Sequence, residues 1–199
     1  MAMRDRLFLL VAGVLSAYQV AVGIEGLSDL AIICYTLAFG VLLVASLVLI
    51  ILGYEALDSP AVVIVATVLP LSLSAGLVAQ HLPSWTLGYL VFAGFGFAAV
   101  AISRLISLGR VATVVLAVVH GTAGLVITGV PLWTVAIHRS GPAYLLVALG
   151  GVLIGLGGLL LTFFRMGKPL IAGSRLMGAL PLLLLLTGAS FTAGMSWGG

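Results

Sequence analysis

Few side chains in this chain could do chemistry, and one of them stands apart. His120 lies at the midpoint of Val111–Val130, VATVVLAVVHGTAGLVITGV, an uncharged run of 20 residues. A run of that length and polarity predicts a transmembrane helix. His120 is then the side chain that titrates near neutral pH and sits near the bilayer centre, while every other ionisable group falls at a predicted membrane edge. At about 100° per residue it faces away from Val111, Val114, Val118 and Leu125, which suit lipid. It is therefore expected to point into a bundle, as intramembrane ionisable residues do. Three roles are open to it. It is a neutral imidazole bonded to a hydroxyl, with Ser72, Ser74 and Thr122 as the polar residues of that intramembrane site. It is a proton or solute site. Or it is an axial ligand of a b-type haem, which needs a second ligand at the same depth. His81 and His138 lie at span ends, so a methionine, a second copy or a partner chain would have to supply that ligand.

A second set of residues falls at the span ends opposite the N-terminus: Glu25, Asp29, Gln80, His81, His138 and Arg139. Two carboxylates and two histidines are donors a divalent metal accepts. They lie on three separate connections, so no spacing motif supports a metal, and solvated loop ends are the plainer reading. At the N-terminal side, Glu55 and Asp58 in YEALDSP are expected to pair with Arg104, Arg110 or Arg175, to sit near a helix start at Ser59, or to gate a cation path. No Asp, Glu, Lys or Arg falls mid-span, where ion-coupled pumps commonly carry a carboxylate. The sequence has no Gly-x-Ser-x-Gly, His-Glu-x-x-His, Cys-x-x-Cys or phosphate loop. An enzyme built on these residues is short of an acid, a base and a nucleophile.

The elements that must position these residues are membrane helices. The 199 residues are 63% hydrophobic and 7% charged, with mean hydropathy +1.38. A soluble domain carries roughly 25% charged residues. The formal charge of +3 is too small and scattered for a nucleic-acid surface. Cys34 is the one cysteine, so an intrachain disulfide is excluded. Seven apolar runs follow one another: Leu7–Ile24, Leu30–Leu52, Ala61–Gln80, Thr86–Ile106, Val111–Val130, Ala143–Phe164 and Leu176–Ala193. Ser59-Pro60 and Gly141-Pro142 place a proline at a helix start, and Ser84 is a further cap. The connections are short, which leaves a single transmembrane domain over 1–199. The expected class is an all-α polytopic bundle of seven spans, or six if the first run is a cleaved signal.

Basic residues orient it. With the N-terminus inside, Arg4, Arg6, Arg104, Arg110, Arg165, Lys168 and Arg175 are inner and Arg139 is outer. That is the positive-inside bias of a multi-pass protein of a cell membrane, here of the prokaryotic plasma-membrane kind. Trp85, Trp133 and Trp197 then fall at the outer interface, where amphipathic rings collect. Tyr35, Tyr89 and Tyr144 recur at spacings of 54 and 55 residues, each followed by a glycine: Gly40, Gly94 and Gly150. This reads either as one helix plus three related hairpins or as chance among Leu/Val/Ala/Gly helices.

In lipid, helices associate through close contact at small residues. Gly151, Gly155 and Gly158 with Ala148 form such a stripe in the sixth run, and Gly121 and Gly124 with Ala117 in the fifth. The stripes hold the bundle together, form a self-association face, or line a narrow passage. Pro70 and Pro181 fall inside spans and are expected to kink them. Three function classes remain: a small channel, facilitator or solute-binding bundle without an enzymatic step; a haem- or quinone-binding membrane subunit of a redox complex; and a structural subunit of a larger assembly. The expected partners are the lipid bilayer with further copies or other membrane subunits, and no nucleic acid.

Overall fold

The computed structural model describes residues 1–24, 26–165 and 170–198, with Arg165 described as backbone alone. It is an all-α bundle. The helices are α1 (Met3–Val22), α2 (Asp29–Leu52), α3 (Pro60–His81), α4 (Thr86–Leu105), α5 (Arg110–Ala136), α6 (Leu145–Arg165) and α7 (Gly173–Gly198). All seven are long and apolar enough to cross a membrane. At about 1.5 Å per residue the 22 residues of α3 run about 33 Å, close to the roughly 30 Å hydrocarbon core. Short 3-10 turns follow α2 (Gly53–Asp58) and precede α4 (Pro83–Trp85) and α6 (Pro142–Tyr144). α5 runs through Pro131 to Ala136, beyond the expected end at Val130, and Thr134 Oγ1 donates to the Pro131 carbonyl at 3.1 Å.

Packing gives the order. α1, α2, α3, α5, α6 and α7 form a ring in that sequence, and α7 returns to α1. α4 stands outside it, against α3 and α5. α1 is a full member of the ring, with Leu9 and Ala12 wholly buried. α3 differs from every other helix: 61% of its apolar stretch is buried, against 17% for the α4 stretch. Each residue from Leu69 to Val78 is buried, whichever way it points. Three helices, α2, α4 and α5, pack on α3, whereas α4 packs on two.

Below, the end that holds the N-terminus is called inner, following the charge bias, and the other end outer. The main core is Ala31, Tyr35, Ala38, Phe39, Leu73, Leu77, Ile127, Val130, Tyr144, Val147, Phe191 and Met195. Every one of them lies in the outer half of its helix or in the outer turn before α6. The inner half has buried residues of its own, among them Leu9, Leu42, Val100, Val119 and Leu176. A cavity of about 220 Å³ opens there, with Tyr54, Glu55, Asp58, Leu161, Phe164 and Met177 on its walls.

Small residues make the close contacts, and of the expected α6 stripe Ala148 and Gly151 are buried while the rest is not. A Cβ at Gly151 would meet Ile127 Cγ2 of α5 at 2.8 Å, and one at Gly150 would meet the Phe191 ring of α7 at 2.6 Å. Gly155 and Gly158, expected to pack, are exposed, and a Cβ at either meets nothing within 4 Å. The same holds at Gly121, which is exposed, and at half-buried Gly124. The reason is the level of contact: α5 meets α6 around Ile127–Gly151, and the stripes continue inward past it. Periodicity finds a face, but it does not say how far along that face a neighbour stays in contact.

Candidate functional site

The site is built on the outer half of α3. Pro70 lies inside this helix and has no backbone N–H to give the Ala66 carbonyl. Ser72 and Ser74, expected beside His120, bond within α3 instead. Ser72 Oγ donates to the Val68 carbonyl at 2.6 Å, and Ser74 Oγ to the Pro70 carbonyl at 2.5 Å. Neither meets His120. The serine hydroxyls thus close on their own helix, as Thr67 also does with the Val63 carbonyl at 2.8 Å. This leaves α3 apolar on its outside and spends no inter-helix bond from these donors.

Three tyrosines then reach α3 from three sides. Tyr35 of α2 donates to Gln80 Oε1 at 2.7 Å. Tyr89 of α4 donates to Ser74 Oγ at 2.7 Å. Tyr144, in the turn before α6, shares a hydrogen bond with His81 Nε2 at 2.8 Å, and the two rings meet edge to face at 5.3 Å. These are the tyrosines that recur in the sequence, and each is bonded to the same helix. Their trailing glycines have no such common role: Gly150 packs on Phe191, while Gly40 and Gly94 meet nothing. Gln80 and His81, neighbours at the outer end of α3, thus each hold one of the two buried tyrosines. Tyr35 is 3% and Tyr144 1% exposed. The missing side chain at Gly76 makes room for the Tyr35 ring, since a Cβ there would lie 2.5 Å from Cε1. Tyr144 is held by α7: the Gly141 N–H donates to the Gly198 carbonyl at 3.1 Å and clamps the turn against that helix end.

The other outer residues do not join these pairs. Asp29 is exposed in the first turn of α2, behind the Ser28 cap. His138 is exposed, with φ 58° at the end of α5. Arg139 stacks its guanidinium 5.8 Å from the Trp133 ring. Glu25 and Lys168 lie outside the described residues. Among the described residues no three His, Cys, Asp or Glu side chains come together to hold a metal. A second outer contact was not visible in the sequence: buried Gln19 donates from Nε2 to the Gly23 carbonyl at 2.9 Å, and Ser196 Oγ donates to its Oε1 at 3.5 Å. A single glutamine inside the first apolar run gives no spacing by which to find a partner at the far end of the chain.

His120 is half-buried in α5, and its Nδ1 meets the Leu116 carbonyl of its own helix at 3.2 Å. A carbonyl only accepts, so Nδ1 carries a proton and the neutral ring keeps its lone pair on Nε2. Thr122, two residues on, stands about 200° round the helix and points to another side. On α7, the hydroxyls of Thr187 and Thr192 are buried with no hydrogen-bond partner, unlike the self-bonded serines and threonines of the other ring helices. Pro181 lies inside the same helix. At the inner end, Asp5 is 5% exposed. Its Oδ2 accepts from the Ala2 N–H at 3.2 Å and from the Tyr54 hydroxyl at 3.4 Å, and its Oδ1 lies 3.5 Å from Arg4 Nε. It ties the start of α1 to the turn after α2.

The arrangement offers hydroxyls, one amide and two imidazoles, with the Tyr144 hydroxyl against the His81 ring. No family model, curated protein or solved structure matches this chain.

Proposed function

We propose that this multi-pass membrane protein is a small facilitator or solute-binding bundle with no enzymatic step. The observation that carries the reading is the contrast between the two ends of the bundle. The outer end holds the main core and the polar pairs Tyr35–Gln80 and Tyr144–His81, whereas a pocket opens at the inner end beside Glu55. Closed at one end and open at the other is the form one state of an alternating or gated passage takes. The partners on this reading are lipid and, along the exposed Gly155–Gly158 face, a second copy or another membrane subunit.

Stopped-flow flux into proteoliposomes tests it, with water, glycerol, ammonia and small monovalent cations as solutes. Transport of one of them above protein-free vesicles, altered by Glu55→Gln, is the expected result. Rates equal to protein-free vesicles for the whole panel would remove the reading.

One observation favours the redox-subunit reading as a second. Nδ1 of His120 is anchored on a carbonyl, which leaves Nε2 directed by that bond, as it is in imidazoles that hold a metal. A Soret band in the purified protein, lost in His120→Leu, would select it over the facilitator.

A further inference from the structure

We propose that the outer segment of α3, residues 71–81, is a gate that turns at Pro70 and is latched by Tyr35, Tyr89 and Tyr144. As the outer closure of the facilitator it rests on the reading above, but the motion is measurable without any solute.

Four observations meet on this segment. Leu73 and Leu77 are its contribution to the main core, so its displacement would break the seal of the outer half. Its inner end is Pro70, where the helix lacks one backbone hydrogen bond and bends at least cost. Its own hydroxyls are bonded within α3, so what fastens it to other helices by hydrogen bonds is the three tyrosine contacts, at 2.7, 2.7 and 2.8 Å. Those come from α2, α4 and the turn before α6, which lie on different sides of it. A permanent seal in lipid has no need of hydroxyls, because phenylalanine fills the same space, and interhelical hydrogen bonds there are weak. Hydroxyl latches that water can replace suit a joint that opens.

Cys34 is a built-in reporter. It is the one cysteine of the chain, 6% exposed on α2, adjacent to Tyr35. In the full-length protein in detergent micelles, both ends are open to a thiol reagent, so the rate of maleimide modification follows the fraction of time the outer half is open. Removing one net hydrogen bond changes such a population about 2- to 13-fold. Tyr35→Phe, Tyr89→Phe and Tyr144→Phe are each expected to raise the rate by that factor. Tyr89→Phe is decisive: Tyr89 is on α4, which packs on α3 and α5, whereas Cys34 is on α2. α3 is the helix that packs on both α2 and α4, and it is the short path between them. Ser74→Ala removes the same bond from the other side and should match it. Pro70→Ala should lower the rate, and Ser103→Ala, whose hydroxyl bonds the Val100 carbonyl of its own helix, should leave it unchanged.

An effect confined to Tyr35→Phe would mean local loosening beside the reporter and would overturn the gate. So would a rise in Ser103→Ala equal to that of Tyr89→Phe, or no rise in any variant. Proteoliposomes without flux, beside latch variants that expose Cys34, would remove the facilitator and leave the gate standing.

Discussion

At Gly76 the space for a side chain is already taken. A methyl group would sit 2.5 Å from Tyr35 Cε1, and that ring is wedged in the outer core with its hydroxyl on Gln80. Gly76→Ala is expected to lower stability by about 1–3 kcal/mol, the usual cost of overpacking. Gly94→Ala is its control, since a Cβ there meets nothing; it should leave stability unchanged or raise it by up to about 1 kcal/mol through helix propensity. Thermal unfolding in detergent separates the two, and equal midpoints would mean that the ring moves aside freely. His120 gives a second residue-scale expectation. Its hydrogen bond is to its own helix, so His120→Leu should cost at most about 0.5–1.5 kcal/mol and leave no polar partner stranded from another helix. A larger loss in the same melt would show that Nε2 holds something buried. That His120 sits mid-span was legible from the chain, because charge-free length fixes depth. Its partner was not, because a histidine in a helix meets the carbonyl one turn back as readily as a hydroxyl across the bundle.

Between helices, what matters is where along its length each one touches the next. The seven helices and their order could be read from apolar runs and from Ser-Pro and Gly-Pro punctuation. The special place of α3 could not. All seven runs are apolar all round, so the contrast between a lipid-facing side and a buried side, which marks orientation in soluble proteins, is absent. The tyrosine spacing was a real signal, but it pointed to a repeat; what the three residues share is a bonding partner, and no spacing within their own hairpins names that partner. The α6 stripe makes the same point as an experiment. Gly151→Leu should force α5 and α6 apart, since Ile127 and Thr128 already fill the contact, and the monomer should melt earlier. Gly155→Leu should leave the monomer's melt alone, because that position faces outward. If Gly155→Leu instead shifts the protein to a smaller species in size-exclusion chromatography, its face is where copies meet.

For the whole molecule, orientation and closure are separate properties with separate causes. The expected orientation rests on the seven basic residues of one side against Arg139, a bias that acts during insertion and is written in the sequence. Closure is a packing property. It depends on twelve residues of different helices reaching the same depth, and no local pattern encodes depth matching across neighbours that are distant in the chain. The two are tested together by single cysteines in a Cys34→Ser background, within sealed vesicles of known sidedness. Leu161→Cys lines the inner cavity and should react with a membrane-impermeant thiol reagent from the inner side. Leu77→Cys, wholly buried in the outer core, should resist the reagent from both sides. Ser84→Cys, exposed in the turn before α4, should react from the outer side. Reaction of Leu161→Cys and Ser84→Cys from the same side would break the antiparallel alternation of helices, and reaction of both from reversed sides would invert the topology while leaving the bundle intact. Fast reaction of Leu77→Cys would show that the outer half is not sealed. The asymmetry on which the facilitator reading stands would then be absent from the protein in its membrane, whichever way round it inserts.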